Sequence, residues 1–184
     1  MTKLAKNHSA VSVPAQLRRS VPIFLVGVSH LLIGLAVCFS AVYHESVSFD
    51  RLLFVVGCAA LTISQLTVFV PKLRGTVPRA FNPAHPLALV AALLIAPSAA
   101  SLALIIAGWA LCNAVFLLLT KSMPQRRDAR LLAGFSGLLA VASLFAVNDP
   151  VMVTGLYGTH AVLAGVFGLI PVFDSKVQTQ ETAG

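Results

Sequence analysis

Charge is what this chain has least of. Only 10% of its 184 residues are Asp, Glu, Lys or Arg, and six of those are acidic, whereas ordinary soluble domains carry about a quarter. That scarcity excludes a water-facing surface over most of the sequence. Cysteine is also sparse: Cys38, Cys58 and Cys112 all fall inside apolar runs and form no CxxC pair. An odd, scattered set of this kind indicates neither a disulfide framework nor a zinc site. A Gly-rich nucleotide loop, a Ser/His/Asp arrangement and a metalloprotease helix are missing too. No catalytic residue, metal ligand or cofactor is assigned, and the chain is read as non-enzymatic.

What the chain has instead is hydrocarbon. It is 58% hydrophobic with a mean hydropathy of +0.90, the composition of an all-α integral membrane protein. Its length accommodates six spans of about 20 residues with short connections. Residues 1–20 hold Lys3, Lys6, Arg18 and Arg19 among small and polar residues and read as a disordered cytoplasmic tail. The apolar run from Val21 is too long for the core of a secretory signal, so no cleavage is expected. Three helical hairpins follow, over residues 21–70, 80–120 and 131–173, and residues 174–184 form a second cytoplasmic tail. The stretch from Pro71 to His85, with several prolines and three basic residues, reads as a turn-rich loop.

The third hairpin is the clearest. Residues 131–147 and 151–173 carry no charge and flank Asn148-Asp149-Pro150, a strong turn signal. The second hairpin is more ambiguous. Residues 86–119 form one uncharged run, about 51 Å long as a single helix, too long to cross a core of about 30 Å once. Two full spans fit if the third helix starts near Ala80 or Phe81 and the chain turns at Pro97-Ser98. The alternative is a short re-entrant segment sheltered by protein.

Basic residues assign orientation. Four lie in the N-terminal tail, three in the second loop, four in the fourth loop and one, Lys176, in the C-terminal tail, leaving Arg51 alone on the other side. Such a bias places both termini in the cytoplasm, as for a bacterial inner-membrane protein. The net charge of +7 also suits anionic lipid headgroups on that face. Nucleic acid is not the expected partner, because the basic residues are spread over short loops with no recognition module.

Gly57, Gly108 and Gly158 are spaced by 51 and 50 residues, each in the second helix of a hairpin, which points to an internal repeat and a pseudo-threefold bundle. The last unit is the most distinctive. Leu132-Ala133-Gly134-Phe135-Ser136-Gly137-Leu138-Leu139, the Asn148-Asp149-Pro150 turn, Gly158 and the Ala164-Gly165-Val166-Phe167-Gly168-Leu169-Ile170 ending resemble the short repeat of HdeD-like acid-resistance membrane proteins. The resemblance runs in outline over residues 21–173; the first hairpin departs from it, with Ser48-Phe49-Asp50 and no proline in its outer loop. It implies a six-span fold and a role in envelope or acid stress, and carries over no catalytic residues.

Polar residues inside the spans are where chemistry would reside. His30 and His160 each lie about 14 Å from a membrane surface, counted along a helix. One reading gives them proton relay or metal or haem ligation; the other makes them interhelical hydrogen-bonding groups. Two ligands on separate helices without a spacing motif are a weak metal or haem signal. Asn113, Gln65, Ser64 and Thr62 read as interhelical glue, or as the lining of a polar pathway. The pairs Ala133/Gly137, Ala161/Gly165 and Ala164/Gly168 suit close helix packing within the chain or against a second copy. Trp109 reads as core. Glu45, Asp50 and Asp149 read as solvated outer-loop residues, Asp149 favoured before Pro150 as a turn former. The resulting expectation is a non-enzymatic membrane protein of envelope or acid stress, with a small proton-coupled transporter or channel using His30 and His160 as the alternative.

Overall fold

The computed structural model describes residues 15–40, 43, 46–69, 82–119 and 126–173. They form six α-helices: α1 (Ala15–Phe39), α2 (Val47–Phe69), α3 (Ala84–Ile95), α4 (Ala99–Leu119), α5 (Arg126–Phe145) and α6 (Pro150–Phe173). Four segments, in α2, α4, α5 and α6, are long and apolar enough to cross a membrane. The described apolar part of α1, Phe24–Phe39, and α3 are shorter. Leucines, isoleucines and phenylalanines such as Leu94, Leu111, Leu118, Leu138 and Phe145 stand exposed on the outer faces. That inverted surface is what a hydrocarbon solvent favours.

Sequence punctuation sets the helix ends. Asp149 Oδ1 accepts the backbone N–H of Met152 at 2.9 Å, capping α6, and Pro150 follows as the first helical residue, where its missing N–H costs nothing. The break between α3 and α4 falls at Ala96-Pro97-Ser98 as expected. Ala96, at φ −104° and ψ 65°, has left the helical region because the following proline disfavours it.

Several boundaries differ from expectation. Helix α1 starts at Ala15, so residues 15–20 belong to it; residues 1–14 and 174–184 lie outside the described set. The third helix is not a full span from residue 80: α3 has 12 residues, about 18 Å. Pro83 and Pro86 tolerate a helix start but no upstream turn, since each would break the hydrogen bond that such a turn requires. His85 accordingly sits in the first turn of α3 and not in the preceding loop, whose residues 70–81 lie outside the described set. Asp50, expected in a solvated loop, is 0% exposed in the first turn of α2, where a carboxylate complements the helix dipole. Its neighbour Arg51 donates to Ala96 O at 3.3 Å, tying α2 to the α3–α4 turn.

The three most extensive helix contacts join α1 to α6, α4 to α5 and α2 to α3. Each links neighbouring hairpins and not the two arms of one. At the α1–α6 seam, glycines let the two backbones approach closely: a Cβ on Gly34 would lie 2.5 Å from Val162 N, and one on Gly165 would lie 2.6 Å from Leu31 N. Gly165 of the Ala161/Gly165 pair therefore serves contact within the chain. The glycine register is not matched by a shared role, because Gly57 and Gly158 sit against side chains whereas Gly108 faces open space.

Candidate functional site

The core of the bundle is a cage of rings centred on Trp109 of α4. Phe54 of α2, Tyr157 and His160 of α6 and His85 of α3 surround it, with centroids 6.2, 5.2, 5.4 and 5.7 Å from the indole. Their edge-on and tilted arrangements suit the quadrupoles of aromatic rings. His30 of α1 completes the set, its ring 5.7 Å from that of His85. Each of the three imidazoles lies within electrostatic reach of the other two. Trp109, His85 and His160 are only 4, 2 and 4% exposed.

Local structure places each member. On α6, Thr154, Tyr157, His160 and Ala161 are all buried, the three- and four-residue spacing of one inward face. His85 is brought inward because Asn82 organises the start of α3: Asn82 Oδ1 accepts Ala84 N–H at 3.0 Å, a turn mimic asparagine readily forms. Tyr157 lies against Gly57, where a Cβ would come 2.6 Å from its hydroxyl, and faces the Cys58 thiol.

A hydrogen-bonded chain runs from the cage across four helices. Gln65 Oε1 of α2 accepts the Asn82 backbone N–H at 3.2 Å. Asn82 Nδ2 donates to Asn113 Oδ1 of α4, and Asn113 Nδ2 donates to Ser136 Oγ of α5 at 2.9 Å. Ser136 Oγ is in turn 2.7 Å from His160 Nε2 and donates to its own Leu132 O at 2.9 Å. With its proton on Leu132 O, the serine oxygen accepts from both Asn113 and His160, using both lone pairs. Each polar atom named between Gln65 and Ser136 then has a partner, and the chain ends on His160, whose Nδ1 is buried without a hydrogen-bond partner.

The other two histidines are anchored separately. His30 Nδ1 donates to Val26 O at 2.8 Å within its own helix. His85 Nδ1 accepts the Trp109 indole N–H at 3.1 Å. Among the described residues no group of three or more His, Cys, Asp or Glu side chains is set to hold a metal ion. A cleft of about 350 Å³ between α1 and α6, lined by residues including Cys38, Met152 and Thr159, shares no residue with the cage.

His30 and His160, read separately from the sequence, are thus brought into one cluster, and Asn113 and Gln65 into the chain leading to it. Thr62 and Ser64 turn their hydroxyls back to Cys58 O and Leu61 O in their own helix. Asn113 and Thr62, aligned in the repeat register, have different roles. The sequence reading missed His85, Asn82 and Ser136. The Asn82-Pro83 dipeptide before an apolar run is a helix-start signal that would have moved His85 onto α3. No family model, curated protein or solved structure matches this chain.

Proposed function

We propose that this is a small, non-enzymatic, six-helix protein of the bacterial inner membrane, HdeD-like in type, with a proton-linked role in acid or envelope stress carried by the His30–His85–His160 cluster. The convergence of three histidines from α1, α3 and α6, two of them against one buried tryptophan and the third against His85, carries the reading. Imidazole is the side chain that changes charge near neutral pH, and ionisable groups inside a membrane bundle are costly enough to mark function by default. The polar chain from Gln65 to His160 supplies a connected route of donors and acceptors toward one end of the bundle. The cyclic order of helix contacts, each hairpin against the next, supports three repeated hairpins closed into a ring, with the 12-residue α3 entering the membrane as a short re-entrant segment sheltered by its neighbours. Both termini lie inside, where basic residues meet anionic headgroups; neither nucleic acid nor a cofactor is part of the reading.

Proton flux into liposomes bearing the purified protein, across an imposed pH gradient, tests this. Flux above that of empty liposomes, lost in His30→Ala and His160→Ala, is the expected result. Absence of flux would overturn the transport role and favour a second reading in which the protein acts through a partner or a second copy. That reading draws on the bond between His160 of α6 and Ser136 of α5, which is the bond of a histidine that holds two helices together.

A further inference from the structure

We infer that Trp109 is a positioning residue of the cluster: its indole N–H, donated to His85 Nδ1, fixes His85 as the neutral Nε2–H tautomer and directs an incoming proton to His30 or His160. The inference rests on the proton-linked reading for its purpose, though not for its structure. An indole nitrogen only donates, so the nitrogen 3.1 Å from it must be bare. A neutral imidazole with a bare Nδ1 carries its proton on Nε2. To become an imidazolium, His85 would have to protonate the nitrogen that Trp109 holds, breaking the bond and leaving a buried indole N–H unpaired, which costs about 1–3 kcal/mol.

The other two histidines lack that lock. His30 gives its Nδ1 proton to Val26 O, so its neutral form has a bare Nε2, and protonation there leaves the carbonyl bond intact. His160, donating from Nε2 to Ser136 Oγ, has a bare Nδ1 without a partner. A proton added to either nitrogen breaks no bond already made. His85 therefore stays a neutral donor beside two acceptors. The titratable groups that face it are His30 of α1 and His160 of α6; Tyr157 of α6 lies against Trp109 and faces Cys58 of α2, and Asp50 is buried one turn from Phe54 on α2.

The chain has a single tryptophan, which makes the test unambiguous. Nitrogen-15 spectra of the full chain in lipid nanodiscs, labelled at imidazole and indole, report which ring nitrogens carry protons. The expected result is one imidazole with a bare, hydrogen-bonded Nδ1, its signal converted to a mixture of tautomers in Trp109→Phe. A protonated His85 Nδ1 in the wild type, or an unchanged signal in the variant, overturns the inference. Should Trp109→Phe fail to fold, His85→Gln and His85→Leu replace it. Glutamine keeps an acceptor, so the indole N–H should remain protected from deuterium exchange in His85→Gln and lose that protection at least tenfold in His85→Leu; equal protection in both overturns the inference. In liposomes, flux through Trp109→Phe should fall about tenfold, the low end of the loss seen when the partner orienting a metal-bound histidine is removed. Wild-type protein that shows the locked tautomer but no flux would refute the proton-linked function while leaving the positioning intact.

Discussion

The α1–α6 seam and the α3–α4–α5 side of the bundle solve the same problem in opposite ways. Both must hold helices together where the outer solvent is as apolar as the side chains, so burying hydrocarbon supplies little drive. The seam does it by omission: Gly34 and Gly165 let backbones meet, and Gly27, Gly158 and Gly168 line the same contact. The opposite side does it by pairing, through Asn82, Asn113 and Ser136. Packing by omission tolerates no added atom, and packing by pairing tolerates no lost one.

The largest expected effect tests the first half of that contrast. Gly34→Ala puts a methyl 2.5 Å from Val162 N and 2.7 Å from Gly158 O, and neither backbone atom has a rotamer to move into. Overpacking of this severity costs about 3 kcal/mol. The variant should lose most folded protein in an SDS titration of detergent-solubilised samples. Gly27→Ala meets chiefly the flexible Leu169 side chain and should lose less. Equal losses in the two would show that backbone contact is not what distinguishes the seam.

Next in size is Ser136→Ala, on the polar side. It removes one oxygen and strands two donors, Asn113 Nδ2 and His160 Nε2. A buried polar group left unmade costs about 1–3 kcal/mol, and membrane bundles lie toward the low end because stranded groups find other partners. A loss of about 2 kcal/mol in the same titration is expected. Ser136→Thr keeps the hydroxyl and should recover most of it. If Ser136→Ala matches wild type, the chain from Gln65 to His160 is not continuous.

How far these features were legible depends on what each requires of sequence. The α5–α6 hairpin was plain, because Asn148-Asp149-Pro150 is a local signal whose capping bond forms within four residues. The Pro97 turn was legible too, but the length of the helix before it was not, and the 12-residue α3 fits the short-segment alternative better than a full span from residue 80. The cluster was half legible: hydropathy picks out His30 and His160 as polar exceptions in apolar runs, yet nothing local says that helices distant in sequence bring both of them to His85 and Trp109. His85 was lost because its surroundings read as loop, and the prolines that suggested a loop in fact only limit where α3 begins. Asp50 was misread for a related reason, since a carboxylate in the first turn of a helix and one in a loop look alike without the neighbouring Ala96 turn. Gly57, Gly108 and Gly158 share a spacing without sharing an environment, because spacing reports the chain and not what packs on it.

A smaller effect probes the one helix end fixed by a local bond. Asp149→Ala removes the cap on Met152 N–H and should cost about 1 kcal/mol. Asp149→Asn and Asp149→Ser, which keep an acceptor, should restore most of it. A full loss in Asp149→Asn would assign the effect to charge at the helix dipole and not to the hydrogen bond.

The smallest change expected is also the one of opposite sign. Gly108 and Gly134 stand on outer faces of α4 and α5 with nothing within 4 Å of an added Cβ. Alanine at either position meets no neighbour and removes the backbone freedom that makes glycine a poor helix residue, so each should stabilise the protein by about 0.5–1 kcal/mol. If the seam is defined by closeness and not by glycine content, Gly34→Ala and Gly108→Ala must move the SDS midpoint in opposite directions. A loss at Gly108 or Gly134 would mean that these faces meet something besides lipid. A second copy of this chain is the occupant to check first, by whether the loss comes with a change in oligomeric state on size-exclusion chromatography with light scattering.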